Sequence, residues 1–337
     1  MDHILTVNNL KTSFLTSSGE VQAVRGISFH LDKGESLGIV GESGSGKSVA
    51  SMSILRLLAQ TGRIREGEVL FGGADLTKVN TRALRSIRGK RIAMVFQDPM
   101  SSLNPLIPVG DQVGEMLWAH TGLDKRARTE RVLELLRTVR IPEPEQRLNS
   151  LPHEFSGGMR QRVMIALALA CRPEVLIADE PTTALDVTIQ DQILKLMRSL
   201  QAETGMSIIF ITHDLGVVAE LCTRVVVMYG GLILEEAPID ELFDRPMHPY
   251  TMGLLDSVPG AHQDKAARLT PIPGSPPDMT RPPEGCPFAP RCRYARNLCA
   301  AQRPPYFHPG EGRRSMCWLL HDDAPSAGNP FKGGRIG

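Results

Sequence analysis

No stretch of this 337-residue chain is apolar for long enough to cross a bilayer. A spanning helix needs about 20 such residues, and the longest clear apolar run covers only residues 163–171. The opening Met1-Asp2-His3-Ile4-Leu5 lacks a basic-then-apolar leader pattern. The expectation is a protein that stays in the cytoplasm and reaches a membrane only through partners. Charge of one sign is lacking as well. Lys+Arg 38 against Asp+Glu 37 leaves a net +1, which gives no electrostatic footprint for nucleic acid. No internal repeat appears, which argues against two fused copies of one module. Before residue 280 there are only two cysteines, Cys171 and Cys222, both in apolar surroundings and most simply buried hydrophobes. Apolar residues in general are plentiful, at 42%, enough for the cores of two or three domains.

Against that background the run Gly41-Glu42-Ser43-Gly44-Ser45-Gly46-Lys47-Ser48 stands out. It spells Gly-x4-Gly-Lys-Ser between an expected buried strand at residues 36–40 and an expected helix at residues 49–58, the context a phosphate-binding loop requires. Glycines let the backbone curl so that successive N–H groups point at phosphate oxygens, and the helix N-terminus adds partial positive charge. Lys47 is expected to reach the β- and γ-phosphates, and the Ser48 hydroxyl to ligate Mg²⁺. A second apolar strand, residues 174–180, ends in Asp179 and Glu180. Alone, two acids after a strand read equally well as a solvated turn. Beside the phosphate loop they read as a Mg²⁺-holding carboxylate and a base that polarises the attacking water.

Between these two halves lies Phe155-Ser156-Gly157-Gly158-Met159-Arg160-Gln161-Arg162. With this run in place, the chain resembles the ATPase subunits of ABC transporters. Ser156, Gly157 and Gly158 match the family signature, expected to open a helix over residues 159–171 and so form a second phosphate site. Met159 stands where Gln is usual. The resemblance implies a head-to-tail dimer in which one subunit's signature covers ATP held by the other. Further landmarks follow in order. Gln97 matches the glutamine that contacts Mg²⁺ or water and couples the site to a membrane partner. Ala184-Leu185-Asp186 matches the loop whose aspartate crosses the dimer interface. His213, which alone would read as an ordinary solvated histidine, matches the histidine that touches the γ-phosphate. Phe14 is the best-placed aromatic to stack on adenine, with a plain core phenylalanine as the alternative.

The fold this implies is α/β: a P-loop NTPase core with an antiparallel β-lobe near the N-terminus and a helical subdomain at about residues 99–160, inserted in a nucleotide-binding domain spanning 1–250. In the insertion Val132, Leu135, Leu136 and Val139 recur at helical spacing, as do Ile189, Ile193, Leu196, Met197 and Leu200 later on; both stripes read as core. From 251 to 337 the composition changes. Residues 271–309 hold 11 of the 25 prolines, a density that excludes regular helix or central strand.

Inside this extension stand Cys286, Cys292, Cys299 and Cys317, spaced Cys-x5-Cys-x6-Cys-x17-Cys. In a cytoplasmic protein such a set reads as a metal centre rather than disulfides. The gaps are wider than zinc knuckles, which favours a [4Fe-4S] cluster over zinc or unligated thiols. Residues 281–317 carry seven Arg, two Glu and neither Lys nor Asp, a net +5 that suits a partner or the cluster's own negative charge. His248-Pro249-Tyr250-Thr251 together with the four cysteines resembles the ATPase subunits of oligopeptide/dipeptide importers, a branch that includes nickel, opine and glutathione systems. The branch implies a second, unlike ATPase subunit, two integral membrane permease subunits and an extracytoplasmic substrate-binding protein, with this chain peripheral on the cytoplasmic face of the inner membrane. A non-transport ABC ATPase acting on nucleic acid or the ribosome is the alternative from another class; near-neutral charge and the absence of a tandem copy or coiled-coil insertion weigh against it.

Overall fold

The computed structural model describes residues 3–183, 185–257 and 271–332, so Ala184 and parts of the extension lie outside the described residues. In chain order the first elements are β1 (His3–Thr16), β2 (Gly19–Asp32), β3 (Ser36–Val40), α1 (Lys47–Ile54), β4 (Gly62–Phe71) and β5 (Ala74–Asp75). Next come α2 (Thr81–Ile87), β6 (Ile92–Val95), α3 (Pro99–Ser102), α4 (Val109–His120), α5 (Lys125–Thr138), α6 (Pro144–Arg147) and α7 (Gly157–Leu169). They are followed by β7 (Val175–Asp179), α8 (Val187–Thr204), β8 (Ser207–Thr212), α9 (Leu215–Leu221), β9 (Arg224–Tyr229) and β10 (Leu232–Pro238). The chain closes with α10 (Ile239–Asp244), α11 (Pro249–Leu255), α12 (Asn297–Ala301), β11 (Phe307–Gly310) and β12 (Arg313–Ser315). None of the helices among the described residues is long and apolar enough to cross a membrane.

Two compact units emerge. The first is built from residues 31–36 and 78–211. Its strands β6, β7 and β8 pair in parallel, with Ile92 opposite Val175 and Ile177 opposite Ile209. Strands buried on both faces need continuous apolar sequence, and all five residues of β7 and all six of β8 are buried. The helical stretch folds as expected: Val132, Leu135, Leu136 and Val139 are fully buried. Asp124 caps α5 by accepting from the Ala127 amide. On α8, Ile193, Leu196, Met197 and Leu200 face the core, while Ile189 is half-buried.

The second unit gathers residues 4–30, 37–77 and the chain from 212 onward. Strands β2, β1, β4 and β5 form an antiparallel sheet in that order, with Leu5 opposite Phe71 and Val7 opposite Val69. In the same unit β3 runs parallel to β9, β9 antiparallel to β10, and β10 antiparallel to β12. Among its described residues the proline-rich segment 271–309 supplies no central strand, as expected, but it does hold a short helix, α12, in the proline-free stretch 291–303, contrary to the composition-based expectation. β11, which contains Pro309, takes an edge position beside β12, where a missing N–H is tolerated.

Several element boundaries differ from the sequence reading. α1 stops at Ile54 rather than residue 58, because Arg56 adopts a left-handed backbone with φ of 52° and ends the helical ladder. α7 begins at Gly157, two residues early, since Ser156 caps it through the Met159 amide. Cys171, beyond the end of α7, is half-buried and its Sγ lies 3.6 Å from the Met116 carbonyl oxygen, whereas Cys222 is buried.

Glu235 on β10 is buried, and its Oε1 accepts from the Met247 amide at 2.6 Å. Burial pushes this carboxyl up to about 7 from an ordinary 4.5, so the folded chain holds a proton that the unfolded chain releases as pH rises through that window. Stability contributed by this group is greatest below about pH 4.5 and is lost as pH rises to about 7. Glu235→Gln is expected to flatten this dependence and to raise stability at high pH by about 3 kcal/mol. Urea unfolding on both sides of the window checks it; an unchanged pH profile in the variant contradicts it.

Candidate functional site

The phosphate loop lies in the second unit, between β3 and α1. Gly41, Gly44 and Gly46 all have positive φ. For Gly46 the reason is twofold: φ is 101°, and a Cβ there would stand 2.4 Å from the Ala23 carbonyl oxygen of β2. No side chain fits, which is why the loop can curl tightly into the helix start. Ser43 and Gly44 are exposed, Ser45 and Lys47 are buried, and Ser48 is half-buried in the first turn of α1. Lys47 Nζ donates to the carbonyl oxygens of Gly41 at 2.7 Å and Glu42 at 3.0 Å. The Ser45 hydroxyl is buried with no hydrogen-bond partner in the protein. A buried hydroxyl without a partner costs free energy, and a phosphate oxygen would satisfy it. Phe14 sits at the end of β1 opposite Gly62 of β4, half-buried, with its Cε1 2.8 Å from where a Gly62 Cβ would be. His213 follows β8 and is exposed, and Asp214 beside it caps α9.

In the first unit the second group of expected residues comes together. Asp179 is buried at the end of β7. The next residue, Glu180, has a left-handed backbone with φ of 47°, held by its amide donating to the Ile211 carbonyl at 2.9 Å. A non-glycine residue in this region is strained, and such strain collects at functional positions. Gln97 Nε2 donates to Glu180 Oε2 at 2.8 Å, and the Thr183 hydroxyl donates to the same oxygen at 2.9 Å. Thr183 was not anticipated; no residue pattern in the sequence marks it.

The signature residues also fall in this unit. Ser156 accepts from the Met159 amide, and Gly157 and Gly158 form the first turn of α7. Asp186 caps α8 by accepting from the Ile189 amide at 2.9 Å. These two helix starts pack together: a Cβ on Gly158 would stand 2.7 Å from Ile189 Cγ2. The second glycine is thus a requirement of packing against the α8 N-terminus as well as of exposing the α7 amides.

The four tail cysteines converge. Cys286, Cys292, Cys299 and Cys317 all line one small cavity of about 20 Å³, with His248, Phe288 and Trp318 among its walls. All four are free thiols, and three of them are buried. Burial pushes the Cys286 thiol up to about 12 and Cys292 up to about 11, and raises Cys317 as well; mutual repulsion between the thiolates adds to each. Such thiols resist ionisation unless a cation neutralises them. No three of the four sulfurs lie within 4.8 Å of one another, so they are not drawn together around a single ion.

This combination of sites on an α/β cassette defines an ATP-binding subunit of the ABC transporter family, and the chain belongs to that family. The family model described as ABC transporter matches residues 24–183. The model of the oligopeptide/dipeptide transporter C-terminal region matches residues 234–299, placing the chain in the oligopeptide/dipeptide type. The chain is 55% identical over 328 residues to the oligopeptide transport ATP-binding protein OppD of Bacillus subtilis, covering 97% of this chain and 92% of that one. It is 51% identical over 328 residues to the dipeptide transport ATP-binding protein DppD of the same organism, covering 97% and 98%. The solved dimeric structure of MJ0796, a bacterial ABC transporter cassette, superposes with a TM-score of 0.63 at 30% identity, covering 70% of this chain and 98% of that chain.

Gly158→Ala is expected to destabilise the chain by about 1–3 kcal/mol through the clash with Ile189. Adding Ile189→Ala is expected to recover part of that loss in urea unfolding. Wild-type stability in the single variant contradicts the packing argument.

Proposed function

We propose that this chain powers an importer of di- or oligopeptides from the cytoplasmic face of the cell membrane, as one of two unlike ATPase subunits docked on two permease subunits fed by an extracytoplasmic binding protein. The oligopeptide/dipeptide C-terminal match and the names of the similar proteins support the cargo class. Docking is supported by the helical stretch of the first unit, which exposes Leu106 at 84%, Trp118 at 68% and Met100 at 55%. Apolar side chains this open to water favour a partner that covers them.

In this reading the loop amides of Gly41, Ser43, Gly44 and Gly46 and the Ser45 hydroxyl cradle the phosphates, Lys47 neutralises their charge, and Phe14 stacks on adenine. Ser156, Gly157 and Gly158 close over the nucleotide of the companion subunit, and Asp186 reaches across the same interface. Ser48, Gln97 and Asp179 are the oxygen donors that would hold Mg²⁺, a set suited to a hard cation. When bound, that ion screens the phosphate charge. Glu180 accepts the proton of the attacking water, kept in place by Gln97 and Thr183, and His213 steadies the γ-phosphate. Closure of the paired subunits on ATP moves the permeases through the Gln97 loop and the helical subdomain, and hydrolysis reopens them. The observation that carries the catalytic part is Glu180, fixed in a strained backbone with its carboxylate bridged to Gln97 and Thr183.

Cys286, Cys292, Cys299 and Cys317 would hold a [4Fe-4S] cluster. Zinc bonded at about 2.3 Å in tetrahedral geometry draws its four sulfurs to roughly 3.8 Å from one another, a spacing that no three of these sulfurs share. When bound, such a cluster would crosslink a proline-rich extension, residues 251–337, whose described residues hold only short helices and strands.

Glu180→Gln in the assembled complex is expected to keep ATP binding while lowering turnover by roughly 100-fold or more, which radiolabelled nucleotide binding and phosphate release measure together. Robust steady-state hydrolysis contradicts the role. Anaerobic purification followed by iron and acid-labile sulfide analysis is expected to give both; stoichiometric zinc without iron refutes the cluster.

A further inference from the structure

Glu42, the second residue of the phosphate loop, has all of its polar groups engaged. Its N–H donates to the Tyr250 hydroxyl at 2.8 Å, and its C=O accepts from Lys47 Nζ at 3.0 Å and from the Ser45 amide at 3.2 Å. Its two carboxylate oxygens meet Arg291, Oε2 with Nη1 at 2.6 Å and Oε1 with Nη2 at 3.1 Å. Arg291 belongs to the cysteine-bearing tail, 249 positions away in sequence.

The five N–H groups of Arg291 are accounted for. Besides the two bonds to Glu42, Nη1 donates to the Tyr229 hydroxyl at 3.1 Å, Nη2 to the Ile272 carbonyl at 3.0 Å and Nε to the Pro273 carbonyl at 2.7 Å. The side chain is only 6% exposed. The rings of Tyr229, Tyr250 and Phe288 pack against one another, with centroids 4.6 to 5.5 Å apart. Tyr250 is itself fixed at the start of α11, where His248 Nδ1 accepts from its amide at 3.0 Å and Pro249 supplies the first helical residue.

Amides that must aim at an anion cannot also bond to one another, so their loop needs support from elsewhere. A forked guanidinium–carboxylate pair sets both the distance and the plane of the carboxylate, which a single ammonium contact does not. We infer that Arg291 and Tyr250 are positioning residues for the nucleotide site: acting through Glu42, the tail holds the phosphate loop in its binding shape. The extension is then part of the nucleotide-binding apparatus. Arg291 lies between Cys286 and Cys292, so the segment that frames the thiol cavity also carries the brace. The inference rests on the reading of residues 41–48 as the ATP site.

The test uses the full-length chain with Mg²⁺ and a fluorescent ATP analogue, read by binding titration, thermal unfolding and hydrogen–deuterium exchange. The variants are Arg291→Ala, Arg291→Lys, Glu42→Gln and the double variant Glu42→Gln with Arg291→Ala. Arg291→Ala is expected to raise the nucleotide Kd by roughly 10- to 100-fold, and Arg291→Lys by less, because it keeps the charge without the fork. Glu42→Gln, which leaves the tail untouched, is expected to weaken binding in the same direction, and the double variant to be no worse than the poorer single one. Amides of residues 41–48 are expected to exchange faster in the variants, while those of β7 and α7 keep their wild-type rates. Nucleotide Kd and loop exchange within about twofold of wild type in both Glu42→Gln and a folded Arg291 variant overturn the inference. If Arg291→Ala fails to fold, Glu42→Gln and Arg291→Lys carry the test. A wild-type chain that fails to bind nucleotide sinks the ATP-site reading and this inference together; a binding wild type with indifferent variants sinks the inference alone.

Discussion

A loop whose N–H groups face an anion gives up the hydrogen bonds that would otherwise shape it. The rest of this structure depends on how that loss is offset. The phosphate loop is seated from several sides by parts of the chain far apart in sequence. Ala23 of β2 crowds Gly46, so no side chain can enter there. Gly231, in the turn between β9 and β10, donates to the Ser45 carbonyl at 3.1 Å. Tyr250 and Arg291 take up the amide and carboxylate of Glu42. The tail in turn is tied to β2, where Gln22 donates to the Met279 carbonyl and Arg25 to the Pro283 carbonyl. These contacts knit the β-lobe and the tail around the loop within one unit.

The first unit applies the same logic with different means. Here the costly feature is a glutamate in a backbone region that suits glycine, and the β8 carbonyl of Ile211 compensates by receiving its amide. The carboxylate is then aimed by two neutral donors, Gln97 and Thr183, which orient it without neutralising its charge. Ser156 and Asp186 each cap a helix start, and Gly158 lets the two starts touch. Substitutions near these caps act on both loops at once.

Much of this was legible in the sequence where one local rule was sufficient. β3 matches the expected residues 36–40, and β7 falls inside the expected 174–180, because each is a short apolar run bounded by turn or charged residues. The phosphate loop, the acidic pair and the signature announce themselves by residue type at fixed spacing. Boundaries set by tertiary contact were not legible. Residues 49–58 read as one helix, yet Arg56 turns left-handed, and nothing in the local pattern breaks there. Proline density argued against helix and central strand in residues 271–309; β11 keeps to an edge, where Pro309 fits, but α12 forms in a stretch without proline that the overall density concealed. The pairing of Glu42 with Arg291 has no periodic or spacing signature, since a long-range ion pair is specified only by the folded path of the chain. The His-Pro-Tyr element was visible as a family mark, but its role in anchoring the Glu42 amide required the structure.

The central claim is that ATP on this chain's phosphate loop is completed by the signature residues of a companion subunit. A photoreactive group on the γ-phosphate of an ATP analogue, bound to the assembled transporter, tests it most directly when labelled peptides are sequenced. The account predicts two labelled peptides from two polypeptides: the loop of residues 41–48 from this chain and a Ser-Gly-Gly signature peptide from its companion. Label confined to one polypeptide, carrying both loop and signature, would contradict it.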